Sequence, residues 1–209
     1  MSKPGIKSNS DWKHGFLFLG NHLALDFVNT RPVQHGQPLE LLPDFSAVIR
    51  WFRAADLLAP RHAGELQRRW GGSARARRTV ETIWELRERL RNEVFSWEDG
   101  AAVHGSTRDE LNRLMAEHPM RTRLKASGRV LSTEFYFEPR QPEDLFAPLA
   151  HSAASLFAHV DCDRVRKCDQ CVLHFLDISK KGTRRWCSMQ LCGNRLKVAA
   201  YAARKSMGS

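Results

Sequence analysis

A chain of 209 residues with 42% hydrophobic and 27% charged residues has the composition of a folded protein, long enough for one large domain or a large and a small one; a disordered chain is excluded. No stretch approaches the roughly 18–20 apolar residues of a membrane span, and the polar start MSKPGIKSNSDWKHG lacks a signal peptide's apolar segment. A cytoplasmic protein without a membrane partner is expected.

The net charge of +10 is unevenly placed: residues 160–209 carry eleven Lys/Arg against four Asp/Glu, and the rest of the chain is nearly balanced. Such asymmetry favours a polyanionic partner for the tail.

In chain order, the first fifteen residues and the stretch RPVQHGQPLE read as loose. GNHLALDFVNT places Leu23, Ala24 and Phe27 on one helical face and stops near Thr30, before Arg31-Pro32. Asp26, Asn29 and Thr30 in this segment read as capping and structural hydrogen-bonding groups rather than a ligand pocket. Asp44 is the expected N-cap of a helix carrying Phe45, Val48, Ile49, Phe52 and Leu57 at helical period. A further helix, about Arg61 to Trp70, ends at Gly71-Gly72. The longest runs from about Ala74 to Phe95 on a stripe of Val80, Ile83, Trp84, Leu90 and Val94, with its interleaved Arg and Glu assigned to a solvated face.

Ser106 and Asp109 suggest the start of the helix TRDELNRLMAEH. RTRLKASGRVLSTEFYFEP, with Ser127-Gly128 between two β-favouring runs, reads as a hairpin. A last helix, about Pro142 to His159, is apolar at Leu145, Leu149, Ala153, Leu156 and Phe157. The fold class is therefore mainly α (α+β): a helical N-terminal domain with a β-hairpin over residues 15–160, then a small cysteine-rich unit over 164–206. His14, His22, His35, His62, His104, His118, His151 and His159 are scattered through the body with no evident nucleophile or carboxylate pair, so no enzyme is expected.

All five cysteines fall in the last quarter, and four are spaced Cys168-x2-Cys171-x15-Cys187-x4-Cys192. Two thiolates separated by two residues can face one ion in a tight knuckle, and a second pair can close a tetrahedron. LHFLDIS as a strand, KKGT as a turn and RRWC as the return strand would bring Cys187 beside the knuckle; Ser188 would then cap a helix from Met189 to about Lys205. This order is treble-clef-like, a β-hairpin plus a helix, and a closed four-sulfur sphere implies one structural Zn²⁺ without an open catalytic position. An iron–sulfur centre and a redox dithiol are the alternatives. Cys162 stands outside the pattern, and His174 reads as packing rather than as a substitute ligand.

CDQC, FLDIS, RRWCSMQLCGNR and Lys197 together resemble the CGNR zinc finger family, whose tetrapeptide is here Cys192-Gly193-Asn194-Arg195. The body resembles ABATE, the bacterial stress-induced transcriptional regulator domain that commonly precedes this finger, most clearly at LALDFVNT. The resemblance implies a zinc-binding, DNA-binding regulator. Candidate nucleic-acid contacts are Lys180, Lys181, Arg184 and Arg185 around the hairpin, and Arg195, Lys197, Arg204 and Lys205 beyond the last cysteine, with Arg195 equally suited to neutralising the thiolate cluster. Double-stranded DNA is the expected partner. An RNA-binding protein and a zinc-stabilised protein-interaction module are the alternatives; a homodimer and a small-molecule effector are candidate roles for the body.

Overall fold

The computed structural model describes residues 12–34 and 36–193. Two minimal hairpins flank the first helix: β1 (Trp12–Lys13) pairs with β2 (Phe16–Leu17), and β3 (Val33–Gln34) with β4 (Gln37–Pro38). Trp12–Lys13 at the end of the first region expected to be loose, and Val33–Gln34 with Gln37–Pro38 in the second, are therefore paired; residues 1–11 and 35 lie outside the described residues. Between them lies α1 (Leu23–Val28), which packs on the later helices and on the cysteine-rich unit.

Helices α2 (Phe45–Ala54), α3 (Pro60–Trp70), α4 (Ala74–Glu98) and α5 (Gly105–Glu117) follow. The hairpin β5 (Arg121–Ser127) and β6 (Val130–Tyr136) turns at Gly128, where φ is +60° and a side chain would be strained. A 3₁₀ turn, Pro142–Leu145, leads into α6 (Phe146–His159). The last strands, β7 (Val165–Lys167) and β8 (His174–Leu176), are antiparallel.

The core forms where the helical stripes meet. Asp44 caps α2 by accepting the Ala47 amide at 2.7 Å, as its position suggests, and α2 brings in Trp51 and Phe52, both essentially without exposure. Trp51 is enclosed by Phe18, Phe27 and Phe52, with ring centroids 5.3–6.0 Å away. Each aromatic so buried contributes on the order of 1.5–3 kcal/mol relative to exposure.

Three local expectations change. The cap of α5 is His104 and not Ser106; a carboxylate from α4, Glu93, takes the His104 amide at 2.8 Å and the Thr107 hydroxyl at 2.5 Å. The helix end is thus satisfied by a tertiary neighbour, which no local pattern reveals. Helix α4 runs three residues past Phe95 to Glu98. Its arginines do not all face solvent: Arg87 is 1% exposed and is held by Glu40 and by the Thr30 hydroxyl at 3.1 Å. The long α4 stripe is wide enough to bring a charged residue under the β4 loop, where Glu40 neutralises it.

Segment 16–20 alternates between two apolar clusters. Phe16 and Phe18 pack into the helical core, and Leu17 and Leu19 into the cluster around the cysteines. At its end Gly20 sits so close to α1 that an added Cβ would lie 2.7 Å from the Leu25 Cβ and 2.8 Å from the Asp26 amide nitrogen. The Gly20 amide donates to Asp26 at 2.7 Å.

Asp26 is 8% exposed, and burial pushes its carboxyl up to about 7 despite the Gly20 and Leu19 amides, which favour the ionised form. A folded-state value above the unfolded one means that the folded chain holds the proton more tightly. The associated stability is complete below about 4 and is lost as pH rises through 7. Between pH 6 and 8 the wild-type chain should lose about 1.4 kcal/mol that Asp26→Asn does not lose. Urea midpoints of both proteins at the two pH values measure this, and parallel pH profiles would refute it.

Candidate metal centre and its seat on the body

The knuckle Cys168–Cys171 lies in the turn between β7 and β8, closed by the Cys168 amide donating to the Leu173 carbonyl at 2.9 Å. This corrects the expected hairpin: β8 pairs with the strand before the knuckle, and 184–187 forms no strand. Side chains shape that return segment instead. The Asp177 carboxylate accepts the Ser179 amide at 2.9 Å and the Arg184 amide at 2.8 Å, closing the loop that carries Lys180 and Lys181. Its buried position raises its proton affinity, but these hydrogen bonds outweigh that and hold the carboxyl below its ordinary value.

Arg184 then clamps the second cysteine pair. Its Nε donates to the Trp186 carbonyl at 2.7 Å, its Nη2 to the Cys187 carbonyl, and the guanidinium lies 4.5 Å over the Phe175 ring. Arg185 ties the return segment to the knuckle, its carbonyl accepting the Asp169 amide at 3.0 Å and its Nε pairing with the Asp169 carboxylate at 2.7 Å. Ser188 caps the following turn as expected, accepting the Gln190 and Leu191 amides at 3.0 and 3.3 Å. The turn itself, Met189–Gly193, is π-helical. The remainder of the expected helix, with Arg195, Lys197, Arg204 and Lys205, lies outside the described residues.

These elements bring the four predicted sulfurs together, all within 4.8 Å of one another. Cys187 Sγ is 3.6 Å from both Cys171 Sγ and Cys192 Sγ. A disulfide needs about 2.05 Å, whereas thiolates around a tetrahedral ion at about 2.3 Å lie roughly 3.8 Å apart. The donor set therefore fits one tetrahedral metal ion. A multi-iron core would hold its thiolates farther apart.

Electrostatics point the same way. Hydrogen bonds from Cys171 and Cys187 pull the Cys168 thiol well below its usual value, whereas the same contact pushes Cys171 up to about 12 and Cys187 higher still. Four thiols this close carry little negative charge by themselves; a bound dication would stabilise all four as thiolates. Cys168, Cys187 and Cys192 are buried, with Leu17, Leu19, Leu173 and Phe175 in the same apolar cluster.

The remaining cysteine, Cys162, is half-buried against the body core, outside the cluster of four. His174 is likewise no ligand: its Nδ1 lies 2.9 Å from Glu98 Oε2 at the end of α4.

The unit is seated through the free edge of β8. The Asn29 side-chain amide donates to the His174 carbonyl at 2.8 Å, and its oxygen accepts the His174 amide at 2.9 Å. The Leu176 amide donates to the Gly20 carbonyl at 2.8 Å, and the Leu176 carbonyl accepts from Asn21 Nδ2 at 2.9 Å. Side chain and backbone of the body thus take the place of a third strand, leaving this edge covered.

In LALDFVNT the three polar groups have separate structural tasks: Asp26 holds Gly20, Asn29 holds β8, and Thr30 meets Arg87. Sequence reasoning assigned them structural roles but missed that one reaches the metal-binding unit. It also missed Leu17 and Leu19, although the unbroken apolar run Phe16–Leu19 is the signal of a strand covered on both faces.

Residues 21–160 match the family model ABATE, described as "Putative stress-induced transcription regulator", and residues 164–205 match that of the CGNR zinc finger. No curated protein matches the chain.

Proposed function

The chain belongs to the ABATE family and carries a CGNR zinc finger after that domain, and we propose that it is a cytoplasmic transcription regulator, not an enzyme, whose finger holds double-stranded DNA. In this reading the metal is zinc. Cys168, Cys171, Cys187 and Cys192 hold it, and it supplies a structural cross-link without an open coordination position.

The observation carrying the reading is that the loop fixed by Asp177 presents Lys180 and Lys181 to solvent, and that the Arg185 side chain after it is 68% exposed even while paired with Asp169. Four thiolates and one Zn²⁺ leave the tail about +5 of its charge. Arg184 is removed from the contact surface because its guanidinium serves the carbonyls of Trp186 and Cys187. Arg195, Lys197, Arg204 and Lys205 extend the proposed surface beyond the described residues.

Fluorescence anisotropy of labelled duplex DNA with the zinc-loaded chain, repeated across salt concentrations, tests this. Affinity should fall steeply with salt, and combining Lys180→Gln, Lys181→Gln and Arg185→Gln should reduce the log–log slope by about 0.9 for every phosphate left without its cation. Absence of binding to duplex DNA overturns the reading, and preference for RNA of the same sequence replaces DNA with RNA.

A second reading, a protein-interaction module, is favoured by the β5–β6 hairpin. Its register puts Thr122, Leu124, Ala126, Leu131, Thr133 and Phe135 on one uncharged face, with Leu124, Leu131 and Phe135 58–70% exposed. A face of this kind suits contact with a second protein chain, including a homodimer.

A further inference from the structure

A cleft of about 310 Å³ lies between α4, the β3–β4 hairpin and the cysteine knuckle. That size is at the lower end of small-molecule sites, which favour junctions between structural units. Its apolar surface comes from both sides of the junction: Val33 and Phe95 from the body, 43% and 46% exposed, and Val172 from the knuckle, 38% exposed. Arg31, Arg91 and Lys167 complete the charged lining, and no Asp or Glu is among the described residues that line it.

The positive charge is incompletely compensated. Glu88 is shared among Arg31 at 3.4 Å, Arg87 at 3.2 Å and Arg91 at 3.1 Å, and Glu40 adds only one further carboxylate through Arg87. Arg91 is accordingly held below the ordinary guanidinium range, first by burial and then by repulsion from Arg87 and Arg31 against the attraction of Glu88 and Glu40. Lys167 places its ammonium 5.0 Å over the Phe95 ring and forms no ion pair among the described residues. The half-exposed Phe95 ring thus carries this cation on one face and meets His174 edge-to-face at 6.3 Å, which sets aromatic surface and positive charge side by side in the cleft.

We infer that this cleft binds a small amphipathic anion, a carboxylate or phosphate monoester with an aromatic or branched aliphatic body. Arg31 and Lys167 hold the anionic group, while Phe95, Val33 and Val172 cover the apolar part. Because Lys167 and Val172 belong to the finger and the other residues to the body, an occupant braces one against the other. The site is where a metabolite of this chemistry alters how the finger is seated. The inference stands apart from the nucleic-acid reading, since it is measured without any nucleic acid.

Isothermal titration of the metal-loaded full chain with phenyl phosphate and benzoate, against size-matched benzylamine and benzyl alcohol, tests it. The expected result is saturable 1:1 binding of at least one anion, with neither control binding. Lys167→Gln and Arg31→Gln should each weaken it by about fivefold. Val33→Asp, at an exposed position distant in sequence from the metal ligands, should abolish it while leaving metal content and Tm unchanged. No heat with either anion up to millimolar concentration, equal binding of the controls, or full anion affinity in both Lys167→Gln and Val33→Asp overturns the inference.

Discussion

Cys187→Ser is expected to lose the metal ion and to unfold the finger while the helical body stays folded. Cys187 is fully buried and its sulfur lies 3.6 Å from two of the other three, and among the described residues no further metal-binding side chain belongs to this cluster of four. Structural zinc contributes on the order of 10–16 kcal/mol in isolated fingers, far more than the small apolar cluster around these sulfurs could supply. Hydrogen exchange should show protection lost across β7 and β8 and at the end of segment 16–20. The amides of α4 and α6 should remain protected, because their core is formed by helix packing. Metal content measured on the same protein should fall from one ion per chain to none. Retention of the ion with unchanged protection would reject the four-thiolate site.

Asn29→Ala should retain the ion and yet destabilise the chain by about 2–6 kcal/mol. The substitution removes both partners of the His174 backbone, at a residue only 2% exposed. Each orphaned buried group costs about 1–3 kcal/mol. The effect should exceed that of Arg87→Ala, although loss of one member of a buried ion pair typically costs roughly 3–5 kcal/mol. The difference is solvent access: the Glu40 left behind has a side chain 27% exposed and can turn to water. Asn29→Asp should fall between wild type and Asn29→Ala, since it keeps the acceptor for the His174 amide and loses the donor to its carbonyl. Urea denaturation of the metal-loaded proteins ranks the four chains. Limited proteolysis should cut the Asn29→Ala chain first around β8 if this residue seats the finger; unchanged proteolysis and midpoint would remove it from that role.

These two outcomes separate the contributions that stabilise the finger. The metal site is local in sequence once the knuckle is closed, whereas the seat joins residues 145 positions apart. A finger fixed along one strand edge can be influenced from the body, which gives the ABATE domain a physical route to the proposed nucleic-acid surface.

Much of the architecture was legible because local chemistry left few alternatives. The period of Phe45, Val48, Ile49 and Phe52 produced α2 with its Asp44 cap, and Ser127-Gly128 placed the β5–β6 turn. The cysteine spacing identified all four sulfurs that converge. Hydrophobic period, turn chemistry and ligand spacing all operate over a few residues, so the chain states them directly.

What only the tertiary structure decided are the assignments in which one residue type has several uses. Arg184 reads in sequence as a phosphate contact, and the structure gives it a further task by committing its Nε and Nη2 to the carbonyls of Trp186 and Cys187. Arg87 reads as part of a solvated helix face, but Glu40 draws it inside. Asn29 reads as a local cap, but its amide completes β8 from across the chain. A polar side chain can bond to any complementary group brought within about 3 Å, and distance in space, unlike periodicity, is not written along the chain.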